Sequence, residues 1–149
     1  MDNETTKQTK PTDSYPLTTI AEIQKLCYDE GKTFWEYVED YEGTDIWDYL
    51  AEIWDSMCKT IERGINNEGV LPGGLKVRRK ASTYMVKAKS YNDSLSSRAK
   101  LYAYALATSE ENAAGGIVVT APTCGSSGVV PAVLYHIATS RNTRPNRII

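Results

Sequence analysis

The residues best placed to do chemistry lie in one short run, TAPTCGSSGVVPAV, residues 120–133. Within it Thr123, Cys124, Gly125, Ser126, Ser127 and Gly128 gather a thiol, hydroxyls and glycines just ahead of an apolar stretch. Thr123 and Ser126 or Ser127 are good N-caps for a helix starting near Ser127. Gly125 and Gly128 let a ligand approach the backbone closely. A helix N-terminus presents N–H groups and a positive dipole end, which suit a carboxylate or phosphate. A thiol just outside such a terminus is stabilised as thiolate, and is then reactive or metal-binding. The same run also reads as a capped turn around a small buried thiol. On the residues alone, structural turn, anion cradle and metal-ligand loop stand level.

Other candidate chemistry is thinner. KVRRK, residues 76–80, packs four cations into five positions and could meet phosphate or a carboxylate. With 17 basic against 19 acidic residues and a net charge of −2, a solvated helix start is the better reading. The LPGGLK run before it matches no P-loop pattern. The cysteines are Cys27, Cys58 and Cys124, with no CxxC pair and no disulfide framework. The lone histidine, His136, would have to serve any Cys–His site with Cys124. A helix from Ser127 carries His136 about 13 Å from its start at about 1.5 Å per residue, a poor nucleophile–base pair. The near-neutral balance offers no field for nucleic acid. No apolar run is long enough to span a membrane. The polar start MDNETTKQTKPTDSYP lacks the apolar segment of a secretory signal, so a cytoplasmic location is expected.

The elements that must position these residues are helical. Residues 1–16 read as a disordered polar leader with Pro11 and Pro16. Thr18 or Thr19 can cap a helix through Glu30, with Ile20, Ile23, Leu26 and Cys27 on one face and Gly31 as its stop. A second helix, Thr33 to Glu42, presents Phe34, Trp35, Val38 and Tyr41. The strongest periodicity follows: Ile46, Trp47, Leu50, Ile53, Trp54, Met57 and Ile61 recur at steps of three and four. Cys58 borders that stripe. Cys27 and Cys58 both read as core. Trp47 and Trp54 read as core before they read as a binding platform.

GINNEGVLPGGLK, residues 64–76, is a loop by its Gly, Asn and Pro content. Residues 77–90 regain a weak helical pattern. Asp93 or Ser94 opens another helix packed through Leu95, Leu101, Tyr102, Ala105 and Leu106, ended by Gly115 and Gly116. GIVVTAP is β-branched but has no partner strand, so residues 117–121 are expected to form a buried extended connector. The last long helix, with Pro131 in its first turn, runs to about Ser140. The predicted class is all-α, with five to seven helices. The closing NRII reads as the first turn of another helix, and residues 17–149 as a helical domain cut short at its C-terminus.

Two long stretches then align with one known family. ENAAGGIVVTAPTCGSSGVVPAVLYH, residues 111–136, resembles the α-domain of bacterial iron–sulfur-dependent L-serine dehydratases (L-serine ammonia-lyases). That family typically carries an ENA(A/S)GG-type run, a β-branched segment, APT, a small-residue loop and then G-(V/I)-(V/I/L)-P. WDSMCKTIERGINNEGVLPGGLKVRRKA, residues 54–81, is similar to the family's W-x-x-M…IE-x-G…LPGGLK-(V/L)-x-R-(K/R)-A region. The resemblance covers about residue 20 to 149.

It implies conversion of L-serine to pyruvate and ammonia with a [4Fe–4S] cluster held by three cysteines. Thr123, Gly125, Ser126, Ser127 and Gly128 become the substrate-carboxylate segment, and Cys124 becomes a cluster ligand. Many members place the loop cysteine three residues later, at the position of Ser127. The family's other two cluster cysteines belong to a GCQ-type segment that does not occur in these residues. A β-domain or β-chain is the implied partner beside L-serine. The competing expectation is a non-catalytic helical fragment of that enzyme, which pairs with a partner but performs no reaction.

Overall fold

The computed structural model describes residues 15–120 and 125–149. Its regular structure is helical throughout, with no strand among the described residues, so the all-α expectation holds. The chain divides into two compact units, the second running Trp47–Ile149.

The first unit holds α1 (Ile20–Glu30) and α2 (Phe34–Glu42). Each starts in a reciprocal capping box. Thr19 accepts from the Glu22 backbone N–H while the Glu22 carboxylate accepts from the Thr19 N–H; Thr33 and Glu36 repeat the pattern. Gly31 ends α1 at φ +67, a left-handed conformation that costs glycine little. Tyr37, Tyr41 and Tyr15 then cluster, with ring centroids 4.9–5.9 Å apart. The Tyr15 hydroxyl donates to Glu42 at 2.6 Å. Tyr37 is the buried residue of α2, whereas Phe34, Trp35 and Tyr41, expected on its packing face, are about half exposed. Cys27 is buried as expected, its thiol directed at the Thr33 carbonyl. Residues 1–14 of the expected leader lie outside the described residues.

The second unit is built on α3 (Ile46–Asn66), α4 (Ala81–Ala88), α5 (Asp93–Ala113) and α6 (Ser126–Ser140), closed by a 3₁₀ turn at Pro145–Arg147. Its core joins Ile61 of α3, Tyr104 of α5 and Ala132 of α6, with Ile65, Met85, Leu101, Ala105 and Tyr135 packed around them. Trp54 lies 6.5 Å from the Tyr135 ring, a packing role.

Two expectations fail here. The buried face of α5 is Ala99, Ala103, Tyr104 and Ala107, while Leu95 and Tyr102 point outward. Small residues win because the helices approach closely: a Cβ on Gly64 would sit 2.4 Å from the Ala107 carbonyl oxygen. α5 does open at Asp93, with Asn92 as its N-cap accepting from the Leu95 N–H. Residues 77–80 do not begin a helix. They form the return arm of a loop closed by Leu71 N–H to Val77 O at 2.8 Å and Arg79 N–H to Gly69 O at 2.9 Å.

Candidate functional site

The end of α5 carries two adjacent carboxylates, Glu110 and Glu111, both buried. Burial of a carboxylate is costly unless donors surround it. Glu110 accepts from the Lys80 N–H at 2.6 Å and reaches the Ala81 N–H at 3.5 Å, so it caps α4 from across the interface. Glu111 accepts from Arg79 at 2.8 Å, Asn67 at 2.9 Å and Arg63 at 3.3 Å. Burial pushes the Glu111 carboxyl up, but bonds from Asn67, Arg79 and Arg63 outweigh it and hold it below the ordinary value. Arg79 is therefore a nearly buried ion-pair partner, with its side chain 9% exposed. This corrects the reading of KVRRK as a solvated run: one of its cations points inward.

Past α5 the chain leaves the helix through Gly115, at φ +77, and Gly116. A Cβ on Gly116 would meet the Glu111 carboxylate at 3.0 Å, so the glycine makes room for the buried acid. Residues 116–120 carry no regular secondary structure, as expected of a connector, but Ile117 is 79% exposed, so the expectation of a buried connector fails there. The Ile117 carbonyl accepts from Arg63 Nη2 at 2.7 Å and from the Thr60 hydroxyl at 3.0 Å. Thr60 and Arg63 are one helical turn apart on α3, which puts both donors on one face.

The connector leads to the small-residue loop. Thr123 and Cys124 lie outside the described residues. Gly125 is the N-cap of α6 and makes no side-chain cap, so Ser126 and Ser127 are the first residues inside the helix rather than its caps. Ser127 is buried. Gly128 lies against α5: a Cβ there would come within 2.7 Å of Ser109 Oγ. Its small size serves helix packing. Pro131 is fully buried in the helix interior, beyond the first turn where it was expected.

His136 Nε2 pairs with Ser97 Oγ at 3.0 Å, while its Nδ1 is buried without a hydrogen-bond partner. Cys58 is half-buried, its thiol pushed up to about 11 by burial first and then by Glu62 and Asp55. That is the opposite of what a thiolate ligand needs. Cys27 belongs to the other unit. Among the described residues no group of three His, Cys, Asp or Glu side chains could hold a metal ion. Neither Cys27 nor Cys58 belongs to such a group.

Arg63, Asn67, Thr60 and Glu111 were not singled out by residue type. Their signal is contextual: Glu111 opens the ENAAGG run and Arg79 lies in KVRRK, but only folding pairs them.

The described residues thus form an all-α scaffold that clamps the connector through Arg63 and Thr60 and seats the start of α6 against α5 through Gly128. The family model described as serine dehydratase alpha chain matches residues 2–149, and the chain belongs to that family. Its sequence is 41% identical over 128 residues to the L-serine dehydratase of Streptomyces coelicolor, covering 82% of this chain and 28% of that protein. It is 40% identical over 131 residues to L-serine dehydratase 2 of Escherichia coli, covering 82% and 29%. Against L-serine dehydratase TdcG of Escherichia coli it is 52% identical over 91 residues, covering 58% and 20%. The chain spans less than a third of the length of these relatives.

Proposed function

We propose that this chain forms part of an L-serine ammonia-lyase, acting on L-serine to yield pyruvate and ammonia. The observation that carries the reading is the start of α6, seated on α5 through Gly128 at the end of a clamped connector. In this reading Thr123, Gly125, Ser126, Ser127 and Gly128 form the segment that receives the substrate carboxylate. Backbone N–H groups and hydroxyls at a helix N-terminus favour an anion, and rigid seating means little reorganisation when it arrives. Gly128 contributes by letting the segment sit close to α5.

Cys124 is proposed as this chain's contribution to an iron–sulfur cluster. Because neither Cys27 nor Cys58 belongs to a metal-holding group among the described residues, the other thiolates come from elsewhere in a dehydratase, and no step of the reaction is assigned to the cluster. A β-domain or β-chain is the proposed partner and the cytoplasm the proposed location. The cysteine mismatch favours one competitor, a helical fragment that binds a partner without chemistry.

The test is reconstitution. The chain is combined with the complementary portions of a serine dehydratase, loaded with iron and sulfide without oxygen, and assayed for pyruvate from L-serine. Pyruvate formation that falls on Ser126→Ala or Ser127→Ala substitution is the expected outcome. A loaded complex that makes no pyruvate supports the non-catalytic fragment instead.

A further inference from the structure

The connector after α5 has little apolar anchorage where it is first described: the Ile117 side chain is 79% exposed. Polar bonds hold it. Gly116 N–H donates back to the Glu111 carbonyl at 2.8 Å. The Ile117 carbonyl then takes Arg63 Nη2 at 2.7 Å and Thr60 Oγ1 at 3.0 Å. Arg63 is itself oriented: its Nε donates to Glu111 at 3.3 Å, and its Nη2 also reaches Thr60 Oγ1 at 3.3 Å. Glu111 is fixed independently by Arg79 and Asn67. One planar guanidinium therefore links α3, the end of α5 and the connector. A lysine ammonium is a point charge on a flexible stem and cannot span three acceptors in one plane.

We infer that Arg63 is a positioning residue: by pinning the Ile117 carbonyl to α3 it steadies the connector ahead of the start of α6, Ser126–Gly128. The inference rests on the proposed function in that the start of α6 is there part of the carboxylate cradle. Arg63 acts on substrate through the connector. Its removal releases the segment locally and leaves the α3–α4–α5 core standing, because Asn67 and Arg79 still satisfy Glu111.

The experiment uses the 149-residue chain as wild type, Arg63→Gln and Arg63→Lys. Amide hydrogen exchange is followed across the chain, and L-serine is titrated while the amide resonances of residues 125–128 are recorded. In Arg63→Gln the amides of residues 117–120 and 125–128 are expected to exchange about tenfold faster or more, while those of Ala99–Thr108 keep their protection. Arg63→Lys restores part of the difference. Serine binding weakens in the same order. Unchanged exchange at residues 117–120 and 125–128 in Arg63→Gln overturns the inference. So does a loss of protection spread evenly over α4 and α5, which would mark a purely structural residue. If the local release occurs but the wild-type chain shows no serine-dependent shifts, the clamp stands and the cradle reading fails.

Discussion

Gly64 shows how much one residue decides. The point where a Cβ would sit is 2.4 Å from the Ala107 carbonyl oxygen and 2.7 Å from its Cα. These are backbone atoms of a packed helix, so they cannot swing aside. Gly64→Ala is expected to destabilise the chain by about 2 kcal/mol or more, the cost of forcing an overpacked contact apart. Gly74→Ala, where nothing lies within 4 Å, is the control and should shift the urea midpoint little. The same economy of space appears at Gly116 beside Glu111 and at Gly128 beside Ser109. In the sequence Gly128 reads as a place for a ligand to approach. In the fold its open side is taken by α5, because helix contact uses the same property, a missing side chain.

At the scale of elements, helix starts were the most legible feature. Thr19 and Thr33 each stand three residues before a glutamate, and both form capping boxes. Hydrogen bonds from the Thr33 backbone and then its hydroxyl hold the Glu36 carboxyl below its ordinary value, consistent with the reciprocal pairing. Thr33→Ala should therefore weaken α2 by about 1 kcal/mol, and Thr33→Ser should retain most of the cap. Loss of amide protection confined to Phe34–Glu42 is the readout. Element faces were harder to read. Large apolar side chains drew attention on α5, yet Ala99, Ala103 and Ala107, four residues apart, form its inner edge. Hydrophobicity scales reward size, whereas a close helix pair selects smallness. The start of α6 illustrates the same gap. Ser126 and Ser127 suit a cap by type, but the helix begins one residue earlier than a Ser127 start and takes both inside.

At the scale of the second unit, one buried acid ties the elements together. Glu111 links Arg63 of α3, and Asn67 just beyond its end, to the loop before α4 through Arg79. Glu111→Gln leaves the Arg79 guanidinium nearly buried without its counter-charge. A melting experiment at neutral pH should show a loss of about 3–5 kcal/mol, the range for breaking a buried pair on one side. The acid limb follows from the sign of the shift. The folded carboxyl titrates below the ordinary value near 4.5, so its contribution is present above that pH. It is lost as the pH falls through the lower folded value. Wild type and Glu111→Gln should therefore converge in stability as the solution is acidified below about pH 4. A constant gap down to pH 2 would remove Glu111 from this role.

The sequence by itself determined the class of the fold, most helix boundaries and the family. These are properties of local periodicity, capping chemistry and ordered motif strings, all of which are readable along one dimension. Only the tertiary structure decided which charges pair, which glycines are contact points and how the connector is held. Arg63, Arg79 and Glu111 are separated by 48 and 32 positions in the chain. No local rule couples residues so far apart. Packing brings them together because a carboxylate taken out of water must find donors, and those donors sit on whichever helices reach it.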